Sequence, residues 1–321
     1  MKRILTTAII LIMCMSVEAQ QDPQFTQWFN DKQSFNPAAV GIRNGNCLSG
    51  FFRNQWTGFD NQPTSVLLNY AGRIDRDNLK GGMGLTFYND QLGQETNNII
   101  RGMFAYHMDA GPGTLSAGLA LGMYGKQLGA DWLPPEGTGS IPLDNAINGT
   151  PTSDAGFDLN LGLYYFEQGK YYVGASMTHL TQSDLTDLSI KLQSHLYVMG
   201  GYNFDLGGSG TVLRTNMLAK SDLNKWALDL NANVMFNDMV YGGITWRPGD
   251  AIAPVIGLEY CTSTSSKTQN KNMCYRLGYS YDTTTSEIRN FSTGTHEIFL
   301  GICFDIQNIP MTNRHANPRF L

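Results

Sequence analysis

The chain carries little charge and has no long apolar run beyond its N-terminus. Charged residues make up 15% of its 321 residues, and the formal net charge is −5. This mild acidity argues against a nucleic-acid partner, which would require a basic surface. After residue 19, no apolar stretch approaches the roughly 20 residues that a membrane-spanning helix requires. Any membrane crossing must therefore use strands, because only helices and closed barrels satisfy every backbone hydrogen bond in lipid.

The common sequence signatures of catalysis are also missing. The chain has no Gly-x-Ser-x-Gly elbow, no phosphate-binding loop and no Cys-x-x-Cys pair. The segment at His296 begins like a zinc-protease motif, but Leu300 stands where the second histidine belongs. His107, His179 and His195 fall on three different predicted strands, where a polar wall residue is the ordinary explanation. We therefore expect no catalysis, no cofactor and no metal.

The N-terminus has the layout of a secretory signal peptide. Two basic residues precede an apolar run over residues 4–15, and Val17 and Ala19 are the small residues that signal peptidase accepts. A lipoprotein signal that modifies Cys14 is the alternative, but Met13 is too large for the position before it. We predict Sec-dependent export with cleavage after Ala19 and a final location in the cell outer membrane.

Apolar and polar side chains alternate along most of the mature chain. Leu228, Leu230 and Ala232 point one way and Asp229 and Asn231 the other, because successive strand side chains face opposite sides. Several segments of this kind have 11 to 14 residues, which is long for a sandwich, whereas a tilted strand needs about 9–11 residues to cross a bilayer. The pattern predicts an all-β fold, a transmembrane antiparallel β-barrel of about 14 strands. A soluble secreted β-sandwich is the less favoured alternative.

The turns indicate which end of the barrel faces the periplasm. Short glycine-rich turns follow even-numbered strands, as expected on the periplasmic side, and the even count places both termini there. The longest connection, residues 127–154, follows the fifth strand and belongs outside the cell; it contains Trp132 and three prolines. A polar connection over 263–271 is predicted in the periplasm. The predicted strands are 47–56, 64–74, 82–88, 95–108, 114–126, 155–166, 170–180, 192–205, 211–220, 225–236, 239–247, 253–262, 272–282 and 295–306.

The same alternation assigns charged side chains to the barrel interior. They carry both signs, and one such charge on the lipid face at the bilayer midplane would cost a few kcal/mol. A mixed-charge lumen suits either a selective pore or a network of ion pairs that stiffens the wall and braces a plug. The residues assigned inward are Arg53, Arg73, Arg101, Arg214, Asp229, Glu259, Glu297 and Asp305.

Both ends of the mature chain extend beyond the barrel. Residues 20–45 contain four aromatic side chains that need a surface to bury against: Phe25, Trp28, Phe29 and Phe35. Residues 307–321 contain two prolines, which disfavour a further membrane strand, so this tail is periplasmic or folds into the lumen. The predicted division is a signal peptide (1–19), an N-terminal plug-like or periplasmic segment (20–45), the transmembrane barrel (46–306) and a C-terminal periplasmic tail (307–321).

Four cysteines remain in the mature chain, which enters an oxidising compartment. Cys261 and Cys274 flank one predicted hairpin at nearly symmetric positions, so a disulfide between them is one candidate. Sequence alone allows three complete pairings of four cysteines.

Several motifs resemble those of the PorP/SprF family. They are Gln21-Asp-Pro-Gln-Phe25, Phe35-Asn-Pro-Ala-Ala-Val-Gly41, Arg53-Asn-Gln-Trp56 with Gly58 and Pro63-Thr64, Gly294-Thr-His-Glu-Ile298, and Pro318-Arg-Phe320. Length, signal peptide and barrel-like alternation also match the family over essentially the whole mature chain, and the order and spacing of the short motifs make the match specific. One departure is Ala39-Val40, where the family commonly has an aromatic residue followed by alanine.

The resemblance implies a non-enzymatic component of the type IX secretion system of Bacteroidota. Members of this family are outer-membrane barrels, some tied to periplasmic ring proteins and a peptidoglycan-binding lipoprotein. Others hold the C-terminal sorting domain of a large secreted surface adhesin, including adhesins used in gliding motility. The sequence does not choose between these roles, and a general diffusion porin for small polar solutes is the alternative from another class. Candidate partner-binding or plug residues are Phe25, Trp28, Phe29, Phe35, Arg53, Gln55, Trp56, Trp132, His296 and Glu297.

Overall fold

The chain forms a closed antiparallel barrel of fourteen strands, as its alternation predicts. The computed structural model describes residues 24–58, 61–76, 79–130, 150–207, 210–266 and 269–304. Two further short strands, Asp184–Leu185 and Ile190–Lys191, form a separate ribbon between the seventh and eighth barrel strands. In this described part of the chain, no helix is long and apolar enough to cross a membrane. The strands are β1 (Asn46–Asn54), β2 (Thr64–Arg76), β3 (Leu79–Leu92), β4 (Glu95–Ala110), β5 (Gly113–Leu128), β6 (Thr152–Glu167), β7 (Tyr171–Thr178), β8 (Asp184–Leu185), β9 (Ile190–Lys191), β10 (His195–Asp205), β11 (Val212–Ser221), β12 (Trp226–Phe236), β13 (Val240–Arg247), β14 (Ala251–Ser266), β15 (Gln269–Thr284) and β16 (Thr295–Phe304).

The two faces of the wall differ as the alternation requires. On β6, Phe157 and Leu161 are 51% and 48% exposed on the outer surface, whereas Asp158 and Asn160 are buried inside. Apolar side chains are stable outside because that surface meets hydrocarbon, while polar side chains inside can hydrogen-bond to one another. Lipid therefore surrounds the barrel, and the lumen carries its polar chemistry.

Strand connections differ at the two ends of the barrel. The connection after β4 is residues 111–112 and the connection after β12 is residues 237–239, whereas residues 55–63 separate β1 from β2 at the other end. Short turns mark the periplasmic end of outer-membrane barrels. We assign the end with residues 55–63 and the ribbon to the extracellular side.

One predicted connection is wrong. Residues 263–271 were expected to form a polar periplasmic loop, but β14 runs to Ser266 and β15 begins at Gln269. The segment is rich in serine, threonine and asparagine, and such a polar composition is typical of loops. A strand that extends beyond the bilayer can have this composition too, because neither of its faces contacts lipid. The hairpin is therefore longer than its hydrophobic portion.

Residues 24–45, here called the lumenal segment, lie inside the barrel. Their first residues contact the extracellular half of the wall, where Thr26 meets Glu297. Their last residues contact the periplasmic half, where the Gly45 carbonyl accepts a hydrogen bond from the Arg73 backbone. Two short 3-10 helices, Trp28–Asn30 and Pro37–Ala39, compact the path between them. The segment thus crosses the lumen before β1 begins at Asn46.

Candidate functional site

An ion-pair cluster joins the lumenal segment to the seam where the barrel closes. Arg53 on β1 lies opposite Glu297 on β16 in the strand register, and both side chains point inward. The Arg53 guanidinium donates from Nη1 to Glu297 Oε2 at 2.9 Å and from Nη2 to Asp282 Oδ2 at 2.8 Å. Three consecutive barrel strands, β15, β16 and β1, therefore contribute one charged group each.

The lumenal segment completes this cluster with two backbone donors and one hydroxyl. The Thr26 and Gln27 backbone N–H groups donate to Glu297 Oε2 and Oε1 at 2.7 and 2.8 Å. The Thr26 hydroxyl donates to Asp282 Oδ1 at 2.7 Å and accepts from Arg53 Nη1 at 2.9 Å. We call Thr26, Gln27, Arg53, Asp282 and Glu297 the latch, because each member bonds across the boundary between segment and wall or supports a group that does.

A further row of buried charge extends from the latch around the wall. Arg247 Nη1 lies 3.6 Å from Asp282 Oδ2, and Arg247 also pairs with Asp229 and Asp250 at 3.2 and 2.8 Å. Lys220 pairs with Asp229 at 2.9 Å. Buried ion pairs contribute little net stability, but removing one partner leaves an uncompensated charge and is strongly destabilising. Because each charge in this row depends on its partners, the row holds these lumenal side chains in one arrangement.

Aromatic side chains anchor the extracellular half and the middle of the lumenal segment. Phe25, Trp28, Phe29 and Phe35 are 4%, 0%, 8% and 6% exposed. Their ring centroids lie 5.2 Å from Phe51 (Phe25), 6.3 Å from Tyr241 (Phe29) and 5.6 Å from Tyr197 (Phe35). These contacts reach β1, β13 and β10, which are separated around the barrel. Burying each such side chain is worth about 1.5–3 kcal/mol.

Hydrogen bonds between side chains and backbone hold the periplasmic half of the segment. Asn36 caps the second 3-10 helix by accepting from Ala38 N at 2.9 Å, and its amide donates to the Leu163 carbonyl at 2.9 Å. The Ser116 hydroxyl donates to the Ala38 carbonyl at 2.6 Å, and a ring nitrogen of His107 lies 3.1 Å from the Val40 carbonyl. These bonds therefore hold the backbone of the lumenal segment in a fixed position against the wall.

Close approach of the segment to the wall requires glycine on the wall. A β-carbon added to Gly118 on β5 would lie 2.2 Å from Ala38 N. A β-carbon added to Gly82 on β3 would lie 2.4 Å from the Val40 carbonyl oxygen. Only a residue without a side chain permits such contact between two backbones.

Gly118→Ala should displace the lumenal segment and lower barrel stability, because the new methyl group overlaps fixed backbone; overpacking of this kind typically costs about 1–3 kcal/mol. Gly102→Ala on the lipid face is the matched control, since the nearest atom to its β-carbon would be 3.9 Å away. The temperature at which the folded band disappears in semi-native electrophoresis measures both variants. Equal transition temperatures would contradict the close approach.

The remaining predicted site residues lie apart from the latch. Gln55 N donates to the Pro63 carbonyl at 2.8 Å and Trp56 N donates to Thr295 Oγ1 at 3.1 Å, so both shape the connection after β1. His296 is exposed on the outer face, with Nδ1 at 2.7 Å from Tyr279 OH. Trp132 and residues 305–321 lie outside the described part of the chain.

Sequence reasoning missed three latch residues and one supporting charge. Asp282 could have been found, because it shares the strand parity of the inward Arg276 on β15. Arg247 stood at the end of a predicted strand, where inward and outward assignments are weakest. Thr26 and Gln27 have no periodic signal, since they belong to a segment without a strand.

The three histidines are not gathered at one place. The rings of His179 and His195 are 5.8 Å apart near the extracellular end, whereas His107 contacts Val40 in the periplasmic half. His179 Nδ1 lies 3.0 Å from Asp158 Oδ1, which also sits beside Arg101. This cluster joins the extracellular connection after β7 to the wall.

Solved structures similar to this chain are outer-membrane barrels. A deletion mutant of the monoaromatic hydrocarbon channel TodX has a TM-score of 0.50 and 11% identity, covering 86% of this chain and 94% of its own. The toluene transporter TbuX of Ralstonia pickettii has a TM-score of 0.48 and 14% identity, with coverages of 85% and 92%. Omp33 of Acinetobacter baumannii has a TM-score of 0.45 and 8% identity, with coverages of 83% and 100%. At these identities the likeness concerns the fold alone.

Family comparison is more specific than structural comparison. The comparison with curated proteins gives no match. The model of the type IX secretion system membrane protein PorP/SprF matches residues 17–302, which include the lumenal segment, the latch and nearly the whole barrel. This chain therefore belongs to the PorP/SprF family of type IX secretion system membrane proteins and is an outer-membrane β-barrel.

Proposed function

We propose that this protein is a non-conducting anchor that holds periplasmic components of the type IX secretion system at the outer membrane. The carrying observation is the lumenal segment, which occupies the lumen from its extracellular half to its periplasmic half. Two cavities between segment and wall have volumes of about 50 and 40 Å³. Such spaces hold a few water molecules and are too small to pass solutes. An occupied lumen favours an anchor over a diffusion porin.

The β14–β15 hairpin supports docking on the periplasmic side. Leu258 is the last residue of β14 paired with β13, and β14 continues for eight more residues, 259–266. At about 3.3 Å per residue, this extension reaches roughly 25 Å along the strand direction. Strand edges beyond the barrel present backbone groups to which a partner strand can add. The hairpin is therefore our preferred contact for a ring protein or a peptidoglycan-binding lipoprotein.

Site-specific photo-crosslinking in intact cells tests this role. One crosslinking residue replaces Ser265 in the hairpin, and the matched control replaces Glu287 in the extracellular connection between β15 and β16. We expect the probe at position 265 to capture a periplasmic ring protein or lipoprotein, identified by mass spectrometry, and the probe at position 287 to capture neither.

Other outcomes would redirect the proposal. Capture of one large secreted protein at position 287, with nothing at 265, would assign the protein to an adhesin through its C-terminal sorting domain. Rapid swelling of liposomes containing the purified protein in small sugars would contradict a closed lumen and support the porin.

A further inference from the structure

Four cysteines form one continuous row across the closure seam. In the strand register, Cys261 on β14 lies opposite Cys274 on β15, and Cys274 lies opposite Cys303 on β16. Cys303 also lies opposite Cys47 on β1. The structure contains two disulfides in this row, Cys47–Cys303 and Cys261–Cys274. Cys274 and Cys303 are thus neighbours that belong to different disulfides.

The two disulfides differ in access. Cys261 is exposed on the extended hairpin, whereas Cys47 and Cys303 are 6% and 9% exposed. A reductant approaching from the periplasm reaches the hairpin disulfide at Cys261 first. Attack on that sulfur expels the Cys274 thiolate, which is the sulfur beside Cys303.

Strand geometry allows Cys274 to reach Cys303. Both existing disulfides have a Cα–Cα distance of 4.0 Å, as in the closer, non-hydrogen-bonded class of antiparallel pair. A residue in an antiparallel sheet forms a hydrogen-bonded pair with the strand on one side and a non-hydrogen-bonded pair with the strand on the other. Since Cys274 and Cys303 each use the non-hydrogen-bonded side for their disulfide, they form a hydrogen-bonded pair with each other, with Cα atoms about 5.5 Å apart. That separation is within the range that disulfides span.

The surroundings of the row favour thiolates. Cys47 shares its cavity of about 50 Å³ with three basic residues, Lys32, Arg43 and Arg276, and one carboxylate, Asp31. The two guanidinium groups of Arg43 and Arg276 outnumber the single carboxylate of this cavity. Nearby cations stabilise a thiolate, which is the attacking species in disulfide exchange.

We propose that the cysteine row is a thiol–disulfide relay through which a periplasmic dithiol opens the buried seam disulfide. One thiolate of the dithiol attacks Cys261, and its second thiol resolves the mixed disulfide, so that the dithiol is oxidised by two electrons. The released Cys274 thiolate attacks Cys303, forms Cys274–Cys303 and expels the Cys47 thiolate. The chain ends with one disulfide and two protonated thiols, Cys261 and Cys47.

Two single variants separate the relay from simple loosening of the hairpin. Cys261→Ser and Cys274→Ser both remove the hairpin disulfide, but only Cys261→Ser leaves a thiol opposite Cys303. Full-length protein in outer-membrane vesicles is treated with dithiothreitol, and free thiols are alkylated at intervals and mapped by mass spectrometry. We expect Cys47 to become alkylated about tenfold more slowly in Cys274→Ser than in Cys261→Ser or the unaltered protein.

A second measurement identifies the rearranged disulfide directly. In Cys261→Ser without reductant, peptides linked through Cys274–Cys303 should appear together with alkylated Cys47, and neither should appear in Cys274→Ser. Equal rates of Cys47 alkylation in the two variants, or opening of the seam without the Cys274–Cys303 peptide, would overturn the relay. Folded-band migration of both variants confirms that each barrel is intact.

Discussion

Arg53→Ala is expected to free the extracellular part of the lumenal segment and make the barrel conduct ions. The substitution leaves Asp282 and Glu297 close together in the lumen after losing the guanidinium that lies within 2.9 Å of both. Removing one partner of a buried pair costs about 3–5 kcal/mol. Single-channel recording in planar bilayers measures the result as a rise in conductance above that of the unaltered protein.

Two further variants identify the cause of the Arg53→Ala effect. Arg289→Ala removes an exposed arginine from the extracellular connection between β15 and β16 and should leave conductance unchanged. Adding Glu297→Gln to Arg53→Ala removes one of the stranded charges and should reverse part of the effect. If Arg53→Ala and Arg289→Ala conduct equally, the latch does not hold the segment.

Trp28→Ala should produce the second large effect, a loss of about 3–5 kcal/mol in the stability of the docked segment. Trp28 is 0% exposed and has the largest side chain among the fully buried residues. Its removal leaves a cavity between the segment and the wall. Trypsin cleavage after Lys32, which lies within the segment, should accelerate because undocking exposes that bond.

Trp226→Ala is the matched control for Trp28→Ala. Trp226 is 63% exposed at the extracellular end of β12, so its loss removes contact with lipid without creating an internal cavity. Its cleavage rate after Lys32 should equal that of the unaltered protein. A similar acceleration in both variants would show that general barrel destabilisation, and not the packing of Trp28, controls exposure of the segment.

Contacts at the closure seam, between β1 and β16, give a physical reason for the residues in the family motifs. Arg53 and Glu297 stand in motifs near opposite ends of the sequence, and the barrel pairs them directly. Trp56 and Thr295, from the same two motifs, are joined by a hydrogen bond of 3.1 Å. Asn36 and Ala38, in a third motif, bond to strand backbone and to Ser116. These motifs describe one interface between the lumenal segment and its wall.

The sequence predicted the wall better than the contents of the lumen. Alternation in segments such as 226–236 assigns each side chain to the lumen or to the lipid, because successive side chains of a strand point to opposite faces. The contact between Thr26 and Glu297 joins residues 271 positions apart, and no local pattern encodes it. The aromatic residues showed that residues 20–45 need a surface, but which strands they contact depends on barrel closure.

The latch makes segment docking depend on completion of the barrel. Arg53 lies on β1, whereas Asp282 and Glu297 lie on β15 and β16, the last two strands of the described part of the chain. An unclosed sheet therefore has no complete binding site for Thr26 and Gln27. The lumenal segment is synthesised before the barrel strands, but its binding site is complete only when the first and last strands of the barrel lie side by side. Complete filling of the lumen therefore requires a closed ring of strands.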